Sequence, residues 1–345
     1  MKSLIFAVNA TMPIVFVVAI GYILKRIGIM TADFAQKANK LVFRVFLPVM
    51  LFLNVYSIED ISSIRGDFIL YSALAVVGTF AIGLPFAILM TKRPDRRGVM
   101  HQALFRSNNA IIGVSLATLL AEAEGAIAAS ILSAVVVPIF NALGVVSLSM
   151  YGNSADSEAD NSAENGDKPV TRAKFPIKKV LIGIIKNPLI IAIAIGFVAL
   201  GIRAILTALG SDFRISDIDA IYTTLEYLGS LATPLALIAL GGQFEFSAIA
   251  ELKKEIIGGT IGRIILAPIL MISLAALIFG SSLTPGMYAA LVAVFATPVA
   301  VSTVPMSQEM GGDSRLAGQL VLFSTLFSSV TVFLFAFVLN LLGCL

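Results

Sequence analysis

The chain has no tryptophan, one cysteine and one histidine, and only 13% of its 345 residues are charged. The lone Cys344 excludes a disulfide framework, a zinc cluster and an iron–sulfur site. The lone His101 excludes metal sites built on several imidazoles. A soluble domain carries roughly a quarter of its residues charged. The deficit, with a mean hydropathy of +0.96, excludes a soluble globular domain, a disordered chain and a nucleic-acid binder. Acidic groups are scarce where they would matter most. None of the 21 Asp and Glu falls in the middle of an apolar run; Glu122, Glu124, Glu226, Glu309 and Asp313 lie at run ends. A paired-aspartate cation exchanger and an intramembrane aspartyl protease both need buried carboxylates, so both readings are poor. No P-loop is present, no metal or cofactor is called for, and an enzyme is not expected.

What is abundant is long apolar sequence. A bilayer core about 30 Å thick takes about 20 apolar residues per helix. Ten such runs can be read: 4–24, 38–57, 68–91, 99–120, 127–150, 177–202, 220–242, 256–280, 285–308 and 317–343. They are continuous rather than alternating, which predicts an all-α polytopic membrane protein of ten spans. The first run is longer than a signal-peptide core and lacks a convincing cleavage site, so it is read as a retained helix. Lysine and arginine divide unevenly over alternate connections. Eighteen fall on one side and four on the other, with Arg44 and Arg106 inside spans. By the positive-inside rule both termini lie outside the cytoplasm. The chain divides into a first five-helix repeat (1–150), a polar cytoplasmic linker (151–175) and a second repeat (176–345). The linker is rich in Asn, Ser, Asp and Glu and is expected to be flexible.

The halves resemble each other. Span 1 reads PIVFVVAIGY from Pro13, and span 6 reads PLIIAIAIGF from Pro188. Inner prolines recur in spans 2 and 7 (Pro48, Pro234) and in spans 3 and 8 (Pro85, Pro268). Five is odd, so two such halves in series must be inverted, the plan of many secondary transporters. Their sites lie where broken helices meet near the midplane.

Span 9 carries the clearest break signal. Pro298 and Pro305 each remove a helical donor, with Thr297, Ser302 and Thr303 beside the gap. Its counterpart, span 4, holds Asn108, Asn109, Gly113 and Ser115 inside an apolar run. Paired asparagines there must find partners or face a cavity. Arg106 either snorkels to the interface or attracts an anion. Asn54 and Asn141 are weaker candidates, Arg44 is read as snorkelling, and His101 as interfacial. Gly241 and Gly242 are read as close-packing or helix-ending glycines.

These pieces resemble the auxin efflux carrier family, whose bacterial members include malonate and malate permeases. The resemblance rests on Phe46-Leu47-Pro48, Arg106-x-Asn108, Asn187-Pro188, Ala232-x-Pro234-Leu235-Ala236-Leu237 with Gly241, Ala296-Thr297-Pro298-x-Ala300, and Asp313. It implies a scaffold of spans 1, 2, 6 and 7, through which the chain would form a homodimer. It implies a transport domain of spans 3–5 and 8–10, with spans 4 and 9 broken and crossing, and an elevator-type motion. The family's span 4 usually places a proline after the asparagine at the break; here Ser115 stands in its place.

The expected function is therefore secondary transport of a small organic carboxylate of the malonate, malate or auxin kind. The expected substrate-binding residues are Asn108, Asn109, Gly113, Ser115, Asn141, Thr297, Pro298, Ser302 and Thr303. Arg106 would attract the anion. Glu309 and Asp313 are candidates for proton coupling. The rivals are a sodium-coupled symporter of the bile-acid type and a membrane sensor that binds without transporting. A bacterial cytoplasmic membrane is the expected location, and a channel is less favoured because no pore-lining ring pattern shows.

Overall fold

The computed structural model describes residues 2–58, 65–164 and 177–345. Every named element among them is helical. Helix α1 is Lys2–Arg26, α2 is Ala32–Tyr56, α3 is Gly66–Met90 and α4 is Pro94–Phe105. After three non-helical residues, helical structure resumes at Asn109 and runs on to Glu164, but not in one direction. Ala121 (φ −144°) and Glu122 (φ 48°) break the helical path. The side chains of Asn109 and Ser133, 24 residues apart, are hydrogen-bonded at 2.8 Å. A straight helix would hold them about 36 Å apart. Two limbs are therefore distinguished, α5 (109–120) and α6 (123–164). Then follow α7 (Ile177–Ile185), α8 (Pro188–Ala208), α9 (Asp219–Gln243), α10 (Lys253–Ser282), α11 (Pro285–Phe295), α12 (Thr303–Glu309) and α13 (Ser314–Leu341).

Seven helices among the described residues are long and apolar enough to cross a membrane, and Pro285–Phe295 is a shorter apolar one. Large apolar side chains face outward along them, for example Ile195, Val198 and Ile205 on α8 and Leu277 on α10. Exposed apolar surface on this scale marks lipid contact. The chain is an integral membrane protein.

Prolines shape two of the helices. Pro48 and Pro268 lack the N–H that the preceding turn needs. In each case the turn upstream widens into a π turn, Val42–Phe46 in α2 and Gly262–Leu266 in α10. Leu47 then donates to the Val42 carbonyl and Ala267 to the Gly262 carbonyl, so the ladder is re-satisfied one residue further on. Close crossings use glycine. A Cβ on Gly241 would lie 2.0 Å from the Val18 carbonyl oxygen, and one on Gly21 2.2 Å from that of Ile238. This lets α1 and α9 touch backbone to backbone, the packing role expected for Gly241.

Helix α11 is apolar all round, and from Tyr288 to Phe295 it is buried on every side. Its 11 residues span only about 16 Å. It is enclosed by protein and packs against α5, α6 and α10.

Three sequence expectations change. Span 6 starts at Pro188, with Asn187 capping the Leu189 N–H; residues 177–185 form a separate short helix. The polar linker expected from 151 is helical as far as Glu164, and the rest of it lies outside the described residues. His101 is not interfacial. It is fully buried on α4, its Nε2 2.8 Å from the Phe80 carbonyl and its Nδ1 3.0 Å from Ser147 Oγ. A Cβ on Gly83 would clash with its ring, so the facing helix has made room for it.

Candidate functional site

Two non-helical segments meet inside the protein, 106–108 between α4 and α5 and 296–302 between α11 and α12. They run antiparallel and pair as a minimal ribbon. Asn108 N donates to the Pro298 carbonyl at 2.8 Å, and Ala300 N donates to the Arg106 carbonyl at 3.3 Å, around Ser107 and Val299. Val299 N donates to Ser324 Oγ at 3.0 Å. Each segment thus supplies the partners that the other lost on leaving the helix, which buried backbone requires. Span 4 is interrupted without a proline. External partners for residues 104–108 do what a proline does in span 9.

Arg106 is the charged group at this meeting point. It is 1% exposed, so it does not snorkel. Its Nη1 donates to Gln102 Oε1 (2.8 Å) and the Met306 sulfur (2.6 Å). Its Nη2 donates to Asn141 Oδ1 (2.5 Å) and Ser302 Oγ (2.8 Å). All four partners are neutral. Among the described residues no carboxylate pairs with it. Around it lies a group of buried polar atoms with no hydrogen-bond partner in the protein: Asn108 Nδ2, Ser107 Oγ, Gln102 Nε2 and Thr303 Oγ1.

Arg106, Asn108, Asn141 and Ser302 line a small cavity of about 30 Å³, together with Ser107, Thr233 and Ala236. That is room for about one water. Through Ala110 and Val137 the cavity adjoins a vestibule of about 370 Å³, lined by Asn54, Ser57, Ser130 and Ser133. The vestibule lies toward the end of the protein where α2 finishes and α6 begins. Toward the opposite end, α2 and α9 are tied to α12. Asn39 Nδ2 donates to Gln308 Oε1 (2.9 Å) and Gln243 Oε1 (3.2 Å). Gln243 Nε2 donates to Gln308 Oε1 (3.1 Å), and Gln308 Nε2 donates to the Gln36 carbonyl (3.0 Å). Arg44, expected to snorkel, has an exposed side chain that pairs with Glu309 at 3.4 Å.

The other expected residues divide. Asn109 is fully buried and donates to Ser133, a vestibule residue. Gly113 makes room for it, because a Cβ there would sit 1.9 Å from Asn109 Oδ1. Ser115 is exposed and stands apart from the cavity. The Thr297 hydroxyl bonds back to the Ala293 carbonyl at 2.9 Å. Pro298 contributes its carbonyl to the ribbon. Asp313 caps α13 through Leu316 N and pairs with Arg96 at 3.0 Å, beside Glu251 and Glu255.

The charge bias missed one residue. Arg263 is one of the eighteen cations that the charge division places on one side, yet it is fully buried in the π turn of α10 and donates only to main-chain carbonyls. Its position inside the run 256–280 was the available signal. Gln102, Met306 and Thr233 were also missed. Gln102 lies one helical turn before Arg106, so its i,i+4 spacing was a local signal; Met306 and Thr233 are brought in only by chain crossings.

A comparison with solved structures finds a sodium proton antiporter from Methanocaldococcus jannaschii, MjNhaP1. It matches at a TM-score of 0.60 and 14% identity over 97% of both chains. The two share a fold. The segments that meet in this chain carry arginine and asparagine and no Asp or Glu. A comparison with curated protein sequences gives no match. The sequence model of one family, described as membrane transport protein, matches residues 6–336. The chain belongs to this membrane transport protein family, the auxin efflux carrier-like transporters.

Proposed function

We propose that this protein is a secondary transporter of a small organic carboxylate, with the anion held between Arg106 and Asn108. The observation that carries the reading is the buried guanidinium of Arg106, which faces a cavity with only neutral partners. A buried charge costs several kcal/mol unless compensated. A carboxylate entering from the vestibule would compensate it and would accept from the free Asn108 Nδ2. Asn109, Asn141, Ser302 and Thr303 would complete the polar shell, and Gly113 and Pro298 would shape it. Ser115 and Thr297 have no direct part in this reading.

The chain forms ten spans in two inverted five-helix repeats, with span 4 (α4 and α5) and span 9 (α11 and α12) crossing where the two broken segments pair. Spans 1, 2, 6 and 7 (α1, α2, α8, α9) act as a dimeric scaffold. The remaining spans move against them as an elevator. The packing of α1 on α9 and of α2 on α8 supports this division. The lysine and arginine bias supports placing both termini outside the cytoplasm of a bacterial cell. On that orientation the vestibule faces outward, and the Asn39–Gln243–Gln308 cluster closes the cytoplasmic side. Glu309 and Asp313 are the coupling candidates. Glu309 is better placed, because it lies on the scaffold–transport boundary opposite Arg44.

Uptake of labelled malonate, malate and auxin into proteoliposomes tests the proposal, with pH, sodium and voltage gradients imposed separately. Saturable, gradient-driven flux of one carboxylate is the expected result. Binding without flux or exchange would instead favour a sensor, and flux driven only by sodium would favour the bile-acid type of symporter.

A further inference from the structure

Arg263 has a hydrogen-bond pattern unlike that of any other side chain described. A guanidinium carries five N–H donors in a fixed planar fork. Nε donates to the Thr297 carbonyl at 2.9 Å. Nη1 donates to those of Leu104 (3.0 Å) and Phe105 (3.2 Å). Nη2 donates to those of Val294 (3.1 Å) and Phe295. The count is one, two and two, so every donor ends on a backbone oxygen. No acidic side chain is among its partners.

The five oxygens have a common origin. Leu104 and Phe105 end α4, and Val294 and Phe295 end α11, with Thr297 just beyond. The last carbonyls of a helix have no partner within it. Each such end also carries about half an elementary negative charge. Two ends meeting in the protein interior therefore present a cage of oxygens with about one negative charge in total, and the single positive charge of Arg263 matches it. Carbonyl cages of this kind, built from half-helix ends, are ligand sets for alkali cations. The π turn before Pro268 sets the guanidinium here, on a helix that belongs to neither broken pair.

We infer that Arg263 is a resident cation: it fills the carbonyl cage where α4 and α11 end, and thereby makes the crossing independent of sodium or any other free alkali cation. It is a positioning residue, since it acts on the two helix ends and not on the substrate. Its removal should leave an oxygen cage that a small free cation can enter. The transport half of this inference rests on the carrier reading above; the stability half does not.

The test measures the thermal unfolding midpoint of purified wild type, Arg263→Ala and Arg263→Lys in choline, sodium, potassium and low millimolar guanidinium chloride. The wild type should show the same midpoint in all four. Arg263→Ala should be lowered in choline, and sodium or guanidinium should restore at least half of the loss in a saturable manner. Arg263→Lys retains the charge with three donors, so it should be lowered but indifferent to the cation. Carboxylate uptake should follow the same pattern, sodium-independent in the wild type and cation-stimulated in Arg263→Ala. An Arg263→Ala protein that no cation stabilises beyond the wild-type response would overturn the inference. So would sodium-dependence in the wild type or in Arg263→Lys, and these two remain decisive where Arg263→Ala does not fold. A failure of uptake alone, with the midpoint pattern intact, would count against the carrier reading and leave the resident cation standing.

Discussion

Replacing Arg106 by glutamine should remove most of the affinity for a carboxylate while leaving that for a neutral analogue nearly unchanged. Four contacts define what is lost: Gln102, Asn141, Ser302 and the Met306 sulfur, all neutral and all within 2.8 Å. The guanidinium charge is therefore available to an incoming anion. A hydrogen bond to a charged group contributes about 1.5–3 kcal/mol net. At 1.4 kcal/mol per decade, Arg106→Gln should weaken malonate binding roughly 10- to 150-fold. Arg106→Lys keeps the charge but not the planar fork, whose Nη1 reaches Gln102 and Met306 and whose Nη2 reaches Asn141 and Ser302, so its loss should be smaller, about tenfold or less. The assay is isothermal titration of the detergent-purified protein with malonate and with its uncharged diamide, alongside a thermal unfolding check. Wild-type malonate affinity in Arg106→Gln would refute the reasoning. So would an equal loss for acid and diamide, because either would show that the charge is not what the ligand meets.

Further expectations follow from individual contacts. Asn108→Ala and Asn109→Ala should each weaken carboxylate binding by about 1 kcal/mol, close to fivefold, in folded protein, and unchanged binding in both would contradict their assignment. Gly113→Ala should lower stability by about 1–3 kcal/mol through overpacking on Asn109, while the same change in an Asn109→Ala background should be nearly neutral; a thermal-shift double-mutant cycle reads the difference. Gln308→Ala removes three neutral hydrogen bonds between α12 and the α2–α9 pair, about 1.5–4.5 kcal/mol in all, and should open the side of the protein that this cluster closes. Spin labels at Lys37→Cys and Arg315→Cys in a Cys344→Ser background should then show a longer-distance population, and an unaltered distribution would exclude the cluster as a closure. Glu309→Gln should abolish stimulation by a pH gradient if Glu309 carries the coupled proton, whereas Asp313→Asn should chiefly destabilise the Arg96 cluster and the α13 cap.

The spanning helices were legible because a bilayer demands long apolar runs and nothing else in the chain competes with that signal. The polar residues of span 4 and the prolines of span 9 were legible for the same reason, as exceptions inside apolar sequence. Side-chain direction was not. Ser115 shares its stretch with Asn108 but faces away, and the Thr297 hydroxyl turns back to Ala293, because helical phase near a break follows the break and not the average period. Arg263 shows a second limit. A charge tally assigns a cation to a loop or a span, but it cannot register that two distant helix ends bring five carbonyls to one guanidinium. His101 was misjudged likewise, since its partners Phe80 and Ser147 lie on other helices. The partners that hold span 4 open without a proline also come from residues almost 200 positions away.

The most direct measurement is an experimental structure of the protein bound to a transported carboxylate in lipid nanodiscs. The account predicts a carboxylate oxygen about 3 Å from an Arg106 guanidinium nitrogen and within reach of Asn108 Nδ2, with Arg263 still bound to its five carbonyls. A carboxylate lodged elsewhere, with Arg106 still paired only to Gln102, Asn141, Ser302 and Met306, would contradict it.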